Sequence, residues 1–134
     1  MSDILYNGTK VIGLNTIQQE GKLNWVGYAD EEGPGGGFHE YVITPLNSDA
    51  LSQTQDETVI SFQKGPRNGP DSTTGVCNVD LLEIVRHRLQ SFMNGPLKSR
   101  ETAIALTKIE EALMWLNQRT VDRKNRGVLG TMEK

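Results

Sequence analysis

The stretch from Asn78 to Gly127 constrains this chain most, because it is patterned for two helices joined by a tight turn. Leu82, Val85, Leu89 and Phe92 recur at helical spacing and fall on one face. Asn78 precedes them as a candidate N-cap, with a side-chain oxygen able to accept from a free first-turn amide. Asn94-Gly95-Pro96 then stops the helix, since glycine permits positive φ and proline has no amide to continue the ladder. A second, longer helix is expected from near Lys98. Leu106, Ile109, Leu113 and Leu116 form its apolar stripe and predict packing against the first helix. Trp115, Arg119, Arg123 and Arg126 follow one another by four, four and three residues, so an aromatic ring and three guanidinium groups share one flank. Gly127 suits the C′ position that ends a helix.

The residues before the hairpin alternate as strands do. Ile4-Leu5-Tyr6 and Thr9-Lys10-Val11-Ile12 flank Asn7-Gly8, the signature of a two-residue hairpin turn. Leu23 to Ala29, Phe38 to Thr44 and Thr58 to Gln63 are rich in aromatic and β-branched residues and predict further strands. Asp30 to Gly37 reads as a flexible acidic loop, and Asn47 to Asp56 and Lys64 to Thr74 as loops. The expected class is α+β: an N-terminal antiparallel sheet of about five strands followed by a C-terminal two-helix hairpin. The sheet region takes residues 1–77, and the hairpin, with a dimerisation and ligand-binding role, takes 78–134, together one compact unit.

Charge is divided unevenly along the chain. Residues 1–78 carry ten acidic and four basic side chains, and residues 79–134 carry seven acidic and ten basic. Basic groups near a helix C-terminus offset the macrodipole by about 0.3–1 kcal/mol each, or else they hold an anion. The acidic half speaks against a nonspecific nucleic-acid binder, which would want a broad basic face. One cysteine, Cys77, allows no intrachain disulfide and implies no metal cluster, and an inert thiol is expected. No apolar run is long enough to cross a bilayer and no signal peptide opens the chain, which points to a reducing cytoplasm.

Catalytic residue types are sparse. His39 falls on an expected strand and His87 on a helix, neither with a cysteine or serine spaced as an activated nucleophile. Glu110 and Glu111 are adjacent, so they point about 100° apart and read as solvated helix charge. The loop Lys64 to Thr74 has the glycines of a phosphate loop but lacks its lysine-then-hydroxyl ending. Arg67 at its centre is a candidate ligand contact or a solvated arginine. No acid, base and nucleophile assemble, so the sequence reads as a binder without cofactor or metal.

The stretches ISFQKGP, NVDLLEIVRHRLQSFMNGP, SRETAIALTKIEEALMWLNQRT and DRKNRGVLGT resemble the Thoeris anti-defence family of phage-encoded nucleotide sponges. YNGTKVI and GYADEEGPGGGFHEYV fit the same family less specifically. The hairpin is also similar to that of the anti-CBASS cyclic-dinucleotide sponges. The resemblance implies an anti-defence protein that binds a cyclic ADP-ribose isomer (gcADPR) intact in the host cytoplasm and withholds it from its effector. It implies a homodimer or hexamer, and some members bind cyclic di- or trinucleotides at separate sites. Carried over by motif, Phe92 before the Asn94-Gly95-Pro96 turn would stack on adenine, and Arg119 and Arg123 would hold the diphosphate. Thr102, after Arg100-Glu101, takes a position where an asparagine is expected in some relatives. Arg67 matches a loop arginine loosely.

Helix geometry independently favours two chains. Thr102 and Arg119 are seventeen residues apart on one helix, roughly 25 Å at 1.5 Å per residue. Two hairpins placed antiparallel bring the turn of one to the arginine end of the other, giving two identical shared pockets. The alternatives are that Phe92 packs in the core with solvated arginines, that the protein is an enzyme cleaving a cyclic nucleotide, or that it is a small DNA-binding regulator.

Overall fold

A computed structural model describes residues 4–6, 9–46, 57–131 and 133. The chain divides into two compact units, Met1–Gly65 with Pro70–Gly75, and Pro66–Gly69 with Val76–Lys134.

The first unit is an antiparallel sheet in which sequence neighbours pair throughout: β1 (Ile4–Tyr6), β2 (Thr9–Gly13), β3 (Asn24–Tyr28), β4 (Glu40–Pro45) and β5 (Thr58–Ser61). β2 to β5 form one continuous ladder, and β1 adds to β2 with Tyr6 opposite Thr9. The expected Asn7-Gly8 turn and the expected loop from Asn47 to Asp56 lie outside the described residues.

Alternation decides the core. Trp25 faces Thr44 across the β3–β4 ladder and Gly27 faces Val42, and all four are buried, so they share the covered face. Val11, Trp25 and Val42 form the core, with Ala29 packed against it. Each such side chain contributes about 1.5–3 kcal/mol relative to exposure. The Trp25 indole requires glycine beside it: a Cβ at Gly27 would stand 2.4 Å from the ring.

Strand ends are set by side-chain capture of backbone amides. Asp30 accepts from the amides of His39 (3.0 Å) and Glu40 (3.1 Å), so β4 starts at Glu40, not Phe38. The acidic loop is held by this carboxylate and contains a 3-10 turn, Pro34–Gly36, where the sequence suggested a flexible segment. Gln63 leaves β5 because its amide donates to the Gly65 carbonyl at 3.0 Å and its oxygen accepts from the Gly75 amide at 3.2 Å. The loop beyond is closed by a bridge between Lys64 and Thr73.

The second unit is the hairpin of α1 (Asn78–Met93) and α2 (Arg100–Asn125), packed on each other. The N-cap of α1 is Cys77, not Asn78: Asp80 reaches back to accept from the Cys77 amide at 2.7 Å, so the first turn needs no help from Asn78. The stop after Met93 is made by Asn94 with φ −93°, and Gly95 is not left-handed. The Asn94 and Gly95 amides instead bond back to Gln90 and Phe92 carbonyls at 3.1 Å each. α2 starts with Ser99 accepting from the Thr102 amide. It ends as expected at Gly127, with φ +77°. The Val128 amide reaches the Arg123 carbonyl and the Gly127 amide the Lys124 carbonyl, the paired bonds of a Schellman motif.

The face of α1 turned to α2 differs from the expected stripe. Leu82, Arg86, Leu89 and Met93 are half-buried, whereas Val85 and Phe92 lie on an exposed flank. Arg86 Nε donates to Glu110 on α2 at 2.9 Å, and this bond raises the Arg86 pKa above its ordinary value. Glu110 therefore clamps the helices together, where the sequence suggested a solvated carboxylate. Leu106, Ile109, Leu113 and Leu116 of α2 are half-buried, as their spacing required.

Candidate functional site

Each sequence-selected residue can be placed on this hairpin. Phe92 lies in the last turn of α1 and is 37% exposed, so it is not a core side chain. The Arg88 guanidinium carbon stands 5.2 Å from its ring centre. Thr102 sits in the first turn of α2, where its hydroxyl accepts from Ser99 Oγ at 2.8 Å and keeps its own proton for another acceptor.

Arg119 is exposed near the other end of α2 and makes no side-chain hydrogen bond or ion pair among the described residues. Arg123 has a different environment. It is buried, and its guanidinium donates to the carbonyls of Val128 (3.0 Å), Thr131 (3.0 Å) and Glu133. The flank expected to carry three equivalent arginines thus carries unlike ones, because the chain after Gly127 folds back onto Arg123. Arg126 is exposed and bonds Asp122 at 3.0 Å, and Trp115 is 75% exposed. Arg67 lies exposed on the loop segment Pro66–Gly69 of the same unit, with an electrostatic or hydrogen-bond partner of its own.

Phe92 and Thr102 flank the inter-helix turn. Arg119 and Arg123 lie at the far end of one uninterrupted helix of 26 residues, about 39 Å long. A single hairpin therefore does not gather these groups around one small molecule.

The sheet unit offers less. His39 is 8% exposed, with Nδ1 3.7 Å from Asp30 Oδ2 and no hydrogen-bond partner on that nitrogen. Asp30 is occupied by two backbone amides, which makes it a loop anchor. A hollow lined by Gly13, Leu14, Asn15, Thr16, Gln19 and Lys22 contains none of the selected residues, and the Lys22 amine in it already donates to Thr16 Oγ1 at 2.7 Å. Among the described residues, no group of three or more His, Cys, Asp or Glu is placed to hold a metal. No helix there is long and apolar enough to cross a membrane.

The helical unit matches a known family. Residues 56–121 fit the family model described as Acb2/Tad1, hairpin domain. Over 114 residues the chain is 52% identical to "Thoeris anti-defense 1" of Bacillus phage SBSphiJ7, covering 72% of this chain and 80% of that protein. The chain belongs to the Acb2/Tad1 family of nucleotide sponges. Of the selected residues, Arg67, Phe92, Thr102 and Arg119 fall inside the segment that the hairpin model matches. Arg123 lies two residues beyond it.

The sequence did not announce two contacts of this sponge hairpin. Arg88 on Phe92 was available in the four-residue spacing that brings helical side chains together. The Arg86–Glu110 clamp joins residues 24 apart and had no local signal.

Proposed function

We propose that the protein is an anti-defence sponge that binds gcADPR, a cyclic ADP-ribose isomer, without cleaving it, and withholds it from its effector in the host cytoplasm. The binding unit is a two-fold dimer of antiparallel hairpins. In each pocket the Phe92–Thr102 end of one protomer faces the Arg119 end of its partner. Phe92 stacks on the adenine, the Thr102 hydroxyl donates to a ribose or base acceptor, and Arg119 takes the diphosphate with Arg123 behind it. Arg67 closes the pocket from its loop.

The observation that carries this reading is a separation. Phe92 is exposed at the turn end of the hairpin, in the last turn of α1, while Arg119, which has no side-chain partner among the described residues, lies near the other end of α2. The apolar surface of the hairpin supports self-association. Ile84, Met114 and Trp115 are 58%, 66% and 75% exposed, and no apolar side chain of either helix is fully buried. Such a surface is what a helix pair shows when it lacks part of its core.

The magnitudes suit sequestration. Each charge-assisted contact contributes about 1.5–3 kcal/mol, and base stacking on an aromatic about 1–3 kcal/mol. At about 0.3 kcal/mol per heavy atom, a ligand of some three dozen atoms reaches about −11 kcal/mol, close to nanomolar. Binding by mass action asks for tightness and abundance, not for a reacting group.

Heating the protein–gcADPR mixture and analysing the supernatant by mass spectrometry tests the proposal. A sponge returns intact gcADPR. Recovery of a hydrolysed product would make the protein an enzyme, and failure to retain gcADPR before heating would remove the ligand.

A further inference from the structure

Arg88 has no part in the proposed pocket, yet among the described residues of the helical unit it makes the one ring contact. It lies one turn before Phe92 on α1, and its guanidinium carbon is 5.2 Å from the phenyl centre. Side chains in a helix lean toward its N-terminus, so Phe92 is carried back over Arg88 on the outer surface. The separation falls within the ~6 Å over which a guanidinium is attracted to a ring face.

Other arginines of the hairpin are engaged differently. Arg86 bonds Glu110 and Glu83, Arg123 is held by backbone carbonyls, and Arg126 bonds Asp122. Arg88 is exposed and, among the described residues, has the Phe92 ring as its partner. A phenyl ring has two faces. A cation resting on one of them fixes the ring plane and leaves the opposite face for a base.

We infer that Arg88 is a positioning residue for the nucleotide site: it holds Phe92 by one face so that the other is presented, already oriented, to the adenine. The inference rests on the reading of Phe92 as the base platform. Its physical content is preorganisation. An exposed phenylalanine free to rotate must be ordered when ligand binds, and a ring already held loses less freedom at that step.

A double-mutant cycle measured by calorimetry with gcADPR at fixed salt tests this, with helicity checked by circular dichroism. Arg88→Ala is expected to weaken binding about twofold to fivefold in the wild-type background. Arg88→Lys keeps a cation above the ring and recovers most of that loss. In a Phe92→Leu background, Arg88→Ala has no further effect, because there is no ring left to hold. An equal loss in both backgrounds would overturn the inference, showing a charge that acts on the ligand directly. No loss in either background, with Phe92→Leu itself weakening binding, would also overturn it while leaving the platform intact. If Phe92→Leu binds gcADPR as wild type does, the platform reading fails first, and this inference with it.

Discussion

The two units of the molecule treat their apolar residues differently. In the sheet, neighbouring strands pair in sequence order and close a small core on Val11, Trp25 and Val42. In the hairpin, the fully buried residue among those described is Arg123, and large apolar side chains such as Trp115 and Met114 stand in solvent. The sheet unit finds its partners within a few tens of residues, through hairpin connections. The helix pair satisfies its backbone internally but offers one shared face for two stripes of apolar residues. What is left over on its outer surface is proposed to meet a second copy, with the nucleotide site at that boundary.

This contrast can be broken by substitution. The largest effect is expected in the sheet: Trp25→Ala removes the bulk of its core and should destabilise that unit by about 3–5 kcal/mol in chemical unfolding. The helical signal in circular dichroism should persist while the sheet unfolds. Simultaneous loss of both signals would show that the units do not fold independently.

The next effects separate two arginines on one helix. Arg123→Ala removes a guanidinium bonded to three carbonyls and should lower hairpin stability by about 1.5–3 kcal/mol, read as a lower Tm. Arg119→Ala removes no side-chain partner among the described residues and should leave Tm within about 1 °C, yet weaken gcADPR binding at least about tenfold by calorimetry. A stable Arg123→Ala variant, or an Arg119→Ala variant with unchanged affinity, would contradict the division of roles.

A smaller effect sharpens the view of the turn end. Ser99→Ala removes the N-cap of α2 and should cost about 1 kcal/mol of helix stability in thermal unfolding, with a modest loss of affinity through Thr102. The smallest effect on the isolated protomer belongs to Met114→Ser. It should change protomer stability by under about 0.5 kcal/mol and yet weaken self-association in sedimentation equilibrium. Unchanged association would move the interface elsewhere.

Much of this architecture was legible in the chain itself, because its signals are local. The alternation of β2 to β5, the 3.6-residue stripe of Leu106, Ile109, Leu113 and Leu116, and Gly127 as the left-handed stop all depend on near neighbours. The misplaced details depend on atoms further off or on competing partners. Asn78 lost the cap because the Asp80 carboxylate serves the Cys77 amide. Phe92 fits the apolar spacing of α1, but the clamp from Arg86 to Glu110 turns a different edge of α1 inward. Arg123 looks like Arg119 on a helical wheel; the carbonyls of Val128, Thr131 and Glu133 that it bonds make them unlike. The proposed nucleotide contacts rest on family resemblance, since helix spacing cannot say what an exposed ring or guanidinium is for.

Each pocket is proposed to be built from two protomers, and mixing two defective proteins tests this most directly. Phe92→Ala and Arg119→Ala should each bind gcADPR poorly when pure. After equal amounts are mixed and allowed to exchange subunits, half the dimers are hybrids, and each hybrid has one pocket carrying both intact residues. Titration of the mixture should therefore recover about a quarter of the wild-type sites at wild-type affinity. A mixture that undergoes verified exchange and recovers no tight sites would place Phe92 and Arg119 in the same protomer's pocket, or in none, and would contradict the account.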